Sequence, residues 1–282
     1  MPRVTIVCSF RNEVKFIGDA VESINRQTFR DFDAVFIDDG STDGGAEIVR
    51  SRAKFDYRIL TNPTSLGLSK SLNRGVDAAD GELIARIDAD DMMLPNRLDV
   101  QTRYFDQDPR LVLLGASALK VDEKGKTIGS FYLPIGDRDC KFALNFYSPF
   151  IHPATMFKKE CFYATEGYCV ESDPAEDFRL WCALAMVGNV DNVPEPLMKY
   201  RIRASSITGS RRKEQLAKHH SIIKTFQMHV RPTARYLPLH IWKVVKLLSY
   251  KEFEGHRTVL SKAFGILLNG ITSGRLAAAG RE

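Results

Sequence analysis

The 282-residue chain is 44% hydrophobic and 27% charged, an ordinary globular composition with room for one large domain and an appendage. No apolar stretch approaches the roughly 20 residues that span a bilayer, and no internal repeat or low-complexity stretch interrupts the pattern. The net charge of +5 is uneven: from Gly209 onward there are 14 Lys and Arg against 4 Asp and Glu, a balance of +10 that leaves −5 for residues 1–208, so an acidic body carries a basic tail suited to anionic partners.

The first hundred residues alternate between strand and helix patterns. Val4–Cys8 reads as a buried strand, and Ile17, Ala20, Val21 and Ile24 follow with helical spacing. This opening carries no basic leader and no cleavage site, so no secretory signal is expected. Ala34–Ile37 is a second apolar run, stopped by Asp38-Asp39-Gly40-Ser41. A helix over about 44–54 and a strand at Tyr57–Leu60 come next. Leu68, Leu72, Val76 and Ala79 then repeat helically, and Leu83–Ile87 is a strand closed by Asp88-Ala89-Asp90-Asp91. Pro95 suits the first turn of a further helix. Such repeated units imply a mostly parallel sheet with helices on both faces.

The middle is less regular. Asp122-Glu123-Lys124-Gly125 reads as a hairpin turn between Leu111–Val121 and Thr127–Leu133. A strand near Ala154–Phe157 and a helix from Glu176 to about Val187 follow. Beyond Ser206 three helical segments are expected, over 211–229, 237–250 and 256–270, with Ser210 as N-cap. The five cysteines, Cys8, Cys140, Cys161, Cys169 and Cys182, are scattered and lack C-x-x-C spacing. They fit reduced thiols in the cytoplasm rather than a disulfide framework or a zinc site.

In open parallel sheets, ligands sit beyond the carboxyl ends of the strands. Ser9-Phe10-Arg11-Asn12 follows the first strand where a dinucleotide site needs G-x-G-x-x-G, so a nicotinamide or flavin is not expected. Gly125-Lys126-Thr127 resembles the end of a P-loop, but Lys120 stands where its first glycine belongs. If the chain stays extended past Ile87, Asp88 and Asp90 project to one side. Two carboxylates so placed suit a hard divalent cation that neutralises a departing diphosphate. The plainer reading is a helix N-terminal cap ahead of Pro95, with Asp91 the strongest candidate for a cap alone. Spacing does not separate the two.

Asp38-Asp39 is either a reader of a pyrimidine base through its N3–H or a simple turn. Asp173, Pro174 and Glu176 have the spacing of a capping box, which accounts for Glu176 without a function. Asp177 is not needed by that box and suits a general base.

Taken together, these residues resemble the family 2 glycosyltransferases, inverting enzymes of the GT-A fold. The resemblance covers most of residues 3–203. It rests on Val4–Val7, Ser23-Ile24-Asn25-Arg26-Gln27-Thr28-Phe29 with Phe32, and Asp38-Asp39-Gly40-Ser41-Thr42-Asp43. It continues through Asn62, Leu66-Gly67-Leu68, Leu72-Asn73, Gly75, Gly81-Glu82, Asp88–Asp91 with Pro95, Glu176-Asp177 and Tyr200-Arg201.

The resemblance implies a GT-A catalytic domain over 1–208, with a nucleotide half to about 95 and an acceptor half to 208; the basic helical extension expected over 209–282 lies outside the resemblance. The resemblance implies a donor site of Ser9, Phe10, Arg11, Glu13, Asp39, Lys70, Asp88, Ala89 and Asp90. There Ser9 and Glu13 line the nucleoside pocket and Asp39 reads the base. Asp88 touches ribose or metal, Asp90 holds Mn2+ or Mg2+, and Asp177 is the base. Lys70 adds charge near the phosphates, or is only a solvated helix lysine. His152, Glu176, Arg201 and Arg203 are further acceptor-side or phosphate contacts. Relatives often carry a histidine where Arg203 stands; arginine pairs with phosphate but does not ligate a metal.

The implied activity transfers a sugar from a UDP-sugar to a glycan or lipid-linked acceptor, in surface-polysaccharide synthesis at the inner face of the membrane. Tyr236–Leu248 mixes apolar, aromatic and lysine residues as a membrane-surface helix does, although a helix packed on the catalytic domain has the same pattern. No nucleic-acid module accompanies the basic charge. A sugar nucleotidyltransferase, and a catalytically silent carbohydrate-binding or scaffold protein, are the competing readings.

Overall fold

A computed structural model describes residues 1–203, 211–226 and 228. Strands β1 (Val4–Phe10), β2 (Phe32–Asp38), β3 (Tyr57–Thr61) and β4 (Leu83–Arg86) are parallel and lie in the order β3-β2-β1-β4. Helices α1 (Ile17–Asn25), α2 (Gly45–Arg52) and α3 (Leu68–Asp77) make the crossovers. The order reverses beside β1, so β1 and β4 form the switch point, the place at which open α/β sheets bind ligands.

Both faces of this sheet are covered, which is why β1 and β2 read as unbroken apolar runs. Ile6, Cys8, Ala34 and Phe36 pack with α1 and α2 on one side, while Val7, Val35 and Ile37 pack with Leu72 and Val76 of α3 on the other. Gly75 lets α3 sit close, since a Cβ there would lie 2.5 Å from Ile37 Cδ1.

The second half extends the same sheet with mixed polarity. β6 (Leu111–Val121) pairs antiparallel with β8 (Met156–Lys158), which pairs antiparallel with β4; the hairpin strand β7 (Thr127–Ser130) also lies on β6. β9 (Asn189–Arg201) runs parallel to β6 and ends against the two-residue β5 (Met92–Met93). Helices α4 (Arg97–Gln107), α5 (Asp137–Leu144), α6 (Lys159–Tyr163) and α7 (Glu176–Val187) flank these strands. The last described helix is α8 (Arg212–Thr225). It packs on α7, with the His219 ring stacked on Phe178 at 4.2 Å.

Several expectations change. β9, the longest strand, escapes a pattern reading because it carries Pro194 and Pro196. The ladder skips from Ala116–Val193 to Ser117–Pro196, so the irregularity absorbs the missing donors. The strand placed at Ala154–Phe157 begins later, after a 3-10 turn over His152–Ala154. Pro95 precedes α4 by two residues instead of opening it. Ser210 and the segments 237–250 and 256–270 lie outside the described residues.

Candidate active site

Three strand ends meet at the switch point. Past β4 the chain turns at once: the Asp91 N–H donates to the Asp88 carbonyl at 3.2 Å. Asp88 and Asp90 therefore share a turn and not an extended stretch. One carboxylate oxygen each from Asp88, Asp90 and Asp91 nevertheless lies within 4.8 Å of the others. The helix-cap reading of this quartet is overturned, because β5 intervenes before α4. Asp91 instead caps the end of β9, accepting the Arg201 N–H at 2.7 Å, while its Oδ2 is enclosed without a donor. Burial, with the charges of Asp88 and Asp90, pushes the Asp91 carboxyl well above the usual range. An orphaned oxygen among converging carboxylates fits a hard divalent cation, which takes oxygen ligands.

Beneath the cluster lies Arg86, a residue the sequence reading did not single out. Its guanidinium is 1% exposed and donates to Asp88 Oδ1 at 2.5 Å and to the carbonyls of Val7 and Ile87. The signal was present, as the one charge inside the apolar run Leu83–Ile87.

Glu13 follows β1. The loop that presents it is pinned by Asn12, whose N–H donates to Ser41 Oγ at 3.1 Å and whose Oδ1 accepts the Thr42 N–H at 2.9 Å. Asn12 adopts φ 54°, a left-handed conformation that asparagine tolerates. Arg203 Nη1 donates to both Glu13 oxygens, at 2.9 and 2.8 Å, and to Asp90 Oδ2 at 2.8 Å. Its guanidinium and that of Arg201 each lie 4.7 Å from the Phe16 ring. Burial raises the Glu13 and Asp90 carboxyls, and the Arg203 bonds oppose that.

Arg201 does not reach toward a phosphate. It is buried, and its nitrogens are spent on the Asp90 carbonyl (2.8 Å), the Glu123 carbonyl (2.5 Å) and Asp19 (2.8 Å). Its part is to hold the backbone of Asp90. Phe10 likewise turns its side chain into the core, and Ala89 is buried. Ser9 sits nearly buried at the strand end, while Arg11 and Lys70 are exposed.

Asp38 and Asp39 differ in their partners. Asp38 accepts the Ser41 N–H at 2.8 Å, a turn contact. Asp39 collects five donors: Asn62 Nδ2 (2.7 Å), Ser65 Oγ (2.6 Å), the Leu66 N–H (2.8 Å), the Gly67 N–H (3.1 Å) and Ser71 Oγ (2.9 Å). Burial alone would raise this carboxyl, but the bonds from Ser65, Leu66, Asn62 and Ser71 outweigh it and hold it down to about 2. A base read by Asp39 has to displace one of these donors, since the oxygens carry about four lone-pair sites between them.

Helix α7 begins at Glu176 with Ala175 at its N-cap and no side-chain cap. The capping box expected from Asp173 is therefore absent; Asp173 pairs with Arg211 at 3.3 Å. Glu176 is 5% exposed and its Oε2 is enclosed without a donor. Asp177 Oδ1 accepts the Phe178 N–H at 2.6 Å. Burial, with the Asp88 charge adding to it and the Phe178 amide opposing, pushes Asp177 up to about 6. Burial and the neighbouring Asp177 raise Glu176. Arg86 acts on both in the other sense, so the acids of β4 and of α7 share one electrostatic field.

His152 is partly buried. Its Nε2 lies 3.1 Å from the Tyr168 hydroxyl, its ring meets Trp181 at 5.7 Å, and burial with the Arg86 charge keeps it neutral. These contacts tie it to Tyr168 and Trp181. Tyr168, another residue the sequence reading passed over, is buried there within range of Asp177, Glu176 and Asp88.

A family model described as Glycosyl transferase family 2 matches residues 5–162. The chain is 31% identical over 208 residues to the O-antigen biosynthesis glycosyltransferase WbnJ of Escherichia coli, covering 72% of this chain and 81% of that one. It is 29% identical over 198 residues to the amylovoran biosynthesis glycosyltransferase AmsE of Erwinia amylovora, covering 69% and 74%. Among solved structures, S. aureus TarS 1-349 in complex with UDP superposes with a TM-score of 0.68 at 16% identity, over 90% of this chain and 74% of that one. The mannosyltransferase PcManGT from Pyrobaculum calidifontis, in complex with GDP-Man and Mn2+, gives 0.65 at 19% identity, over 99% and 79%. At these identities the likeness of the structures is one of fold.

Proposed function

Since the chain belongs to glycosyl transferase family 2, we propose that it moves a sugar from a UDP-sugar to a hydroxyl of a glycan or lipid-linked oligosaccharide, with inversion. The observation that carries this reading is the convergence of the Asp88, Asp90 and Asp91 carboxylates within 4.8 Å of one another just past β4, with one Asp91 oxygen enclosed without a donor. Displacement at an anomeric carbon needs the charge on the departing diphosphate to be met, which is what such a cluster does through a divalent cation.

In this mechanism Asp177 accepts the proton of the acceptor hydroxyl as that oxygen bonds to the anomeric carbon. The bond from that carbon to the diphosphate breaks on the opposite face. Asp88, Asp90 and Asp91 would hold Mn2+ or Mg2+, which when bound neutralises charge developing on the diphosphate. Arg86 fixes Asp88, and Arg201 fixes the backbone of Asp90. A nucleoside donor is in keeping with the UDP and GDP-Man complexes of the two structural neighbours. The names of the two bacterial relatives are in keeping with surface-polysaccharide synthesis. No helix among the described residues is long and apolar enough to cross a membrane. The basic residues of 209–282 suit contact with an anionic surface or a lipid-linked acceptor at its inner face.

The test is a panel of UDP- and GDP-sugars assayed for manganese-dependent donor hydrolysis, with Asp90→Ala and Asp177→Asn as controls. A preferred UDP-sugar, lost on chelation and in both variants, is expected. Turnover indifferent to chelator and to both substitutions would defeat the mechanism, and a GDP-sugar preference would correct the donor.

A further inference from the structure

One nitrogen, Arg203 Nη1, donates to three carboxylate oxygens on two residues that come from different loops. Glu13 and Asp90 have side chains 22% and 24% exposed and converge on this one positive group. Nη1 therefore does at this spot what a divalent cation would do, holding together acids that otherwise repel. A cation engaging Asp90 meets a guanidinium already in place, and like charges at such distances in a partly enclosed crevice exclude one another. Arg203 is also held from behind by the Phe16 ring at 4.7 Å. Stacking on an aromatic face keeps a guanidinium near the site after one of its carboxylates is taken away.

Resting on the donor reading above, we propose that Arg203 is a resident counter-ion that competes with the divalent cation for Asp90 and, once displaced, pairs with the donor diphosphate. Cation and nucleotide then bind cooperatively, each relieving a cost the other would meet alone. A histidine at this position would leave Asp90 open to the cation from the start. The arginine neutralises these acids by itself and makes them reluctant to load metal without nucleotide.

The experiment measures Mn2+ affinity of the full chain by electron paramagnetic resonance of free Mn2+, with and without UDP. It compares wild type, Arg203→Gln and Arg203→Lys, with thermal melts to confirm folding. Arg203→Gln is expected to bind Mn2+ alone about tenfold more tightly than wild type while binding UDP about tenfold more weakly, the scale of one charge pair. Arg203→Lys, which loses the stacking but keeps the charge, should fall between. An unchanged or weaker Mn2+ affinity in both variants would overturn the proposal. A wild-type chain that binds neither UDP nor GDP, with or without Mn2+, would instead overturn the donor reading beneath it.

Discussion

Arg86 and Asp88 stand two residues apart and form an ion pair at 2.5 Å in which the arginine is 1% exposed and the aspartate 33%. The strand β4 thus ends on a buried cation, and the acid it steadies follows two residues later. Lysine at 86 cannot reach Val7, Ile87 and Asp88 together, because its ammonium is a point and not a fork. Arg86→Lys is expected to fold, with a lower melting temperature, and to bind UDP with Mn2+ about tenfold more weakly, the scale of a partly buried charged contact. Calorimetric titration checks it; unaltered affinity would reduce Arg86 to a packing residue.

Asp177→Asn should lower turnover by about 10²–10⁴, the usual worth of general-base catalysis, while leaving UDP affinity within twofold. In wild type the base works ionised. Burial holds its carboxyl up at about 6, so kcat/KM should fall as pH drops through that value. A pH–rate profile with its acid limb near the ordinary aspartate range would contradict the assignment.

Glu176 gives a stability prediction of opposite sense to a salt-bridged acid. Its folded-state carboxyl is raised by burial and by Asp177. Between the ordinary and the raised value the folded chain retains a proton that the unfolded chain releases, so stability falls as pH rises across that window. Glu176→Gln removes this residue's share of the dependence. Its melting temperature should exceed wild type at pH 8 and converge with it near pH 5, by about 2–4 °C per kcal/mol. Scanning calorimetry at both pH values decides; a gap that widens toward acid would reverse the claim.

Gly81 meets backbone, where a methyl group has nowhere to go. A Cβ there would lie 2.5 Å from the Thr5 nitrogen and 2.7 Å from the Val4 carbonyl carbon. At Gly75 the near atoms are side-chain methyls of Ile37 and Val7, which shift more easily. Gly81→Ala should cost about 1–3 kcal/mol as overpacking does, and more than Gly75→Ala. Paired denaturant titrations test the order.

Elements whose signal is local were legible before any coordinates. β1 and α1 followed from apolar periodicity, the hairpin between β6 and β7 from Asp122–Gly125, and α7 from its helical run. The acids at the ends of β1, β2 and β4 were legible too, because a parallel sheet sends its strand ends to one edge. Tertiary structure decided what those acids are bound to. Arg203 reaches Glu13 across 190 positions and Asp90 across 113, and Arg201 was turned from a phosphate contact into a brace. Asp39 was filled by donors from a loop and the start of α3, 23 to 32 residues away. Periodicity records which face of an element is apolar, a property of neighbours in sequence. The partner of a buried charge is set by where distant segments stop, and that is known only once the sheet has closed around them.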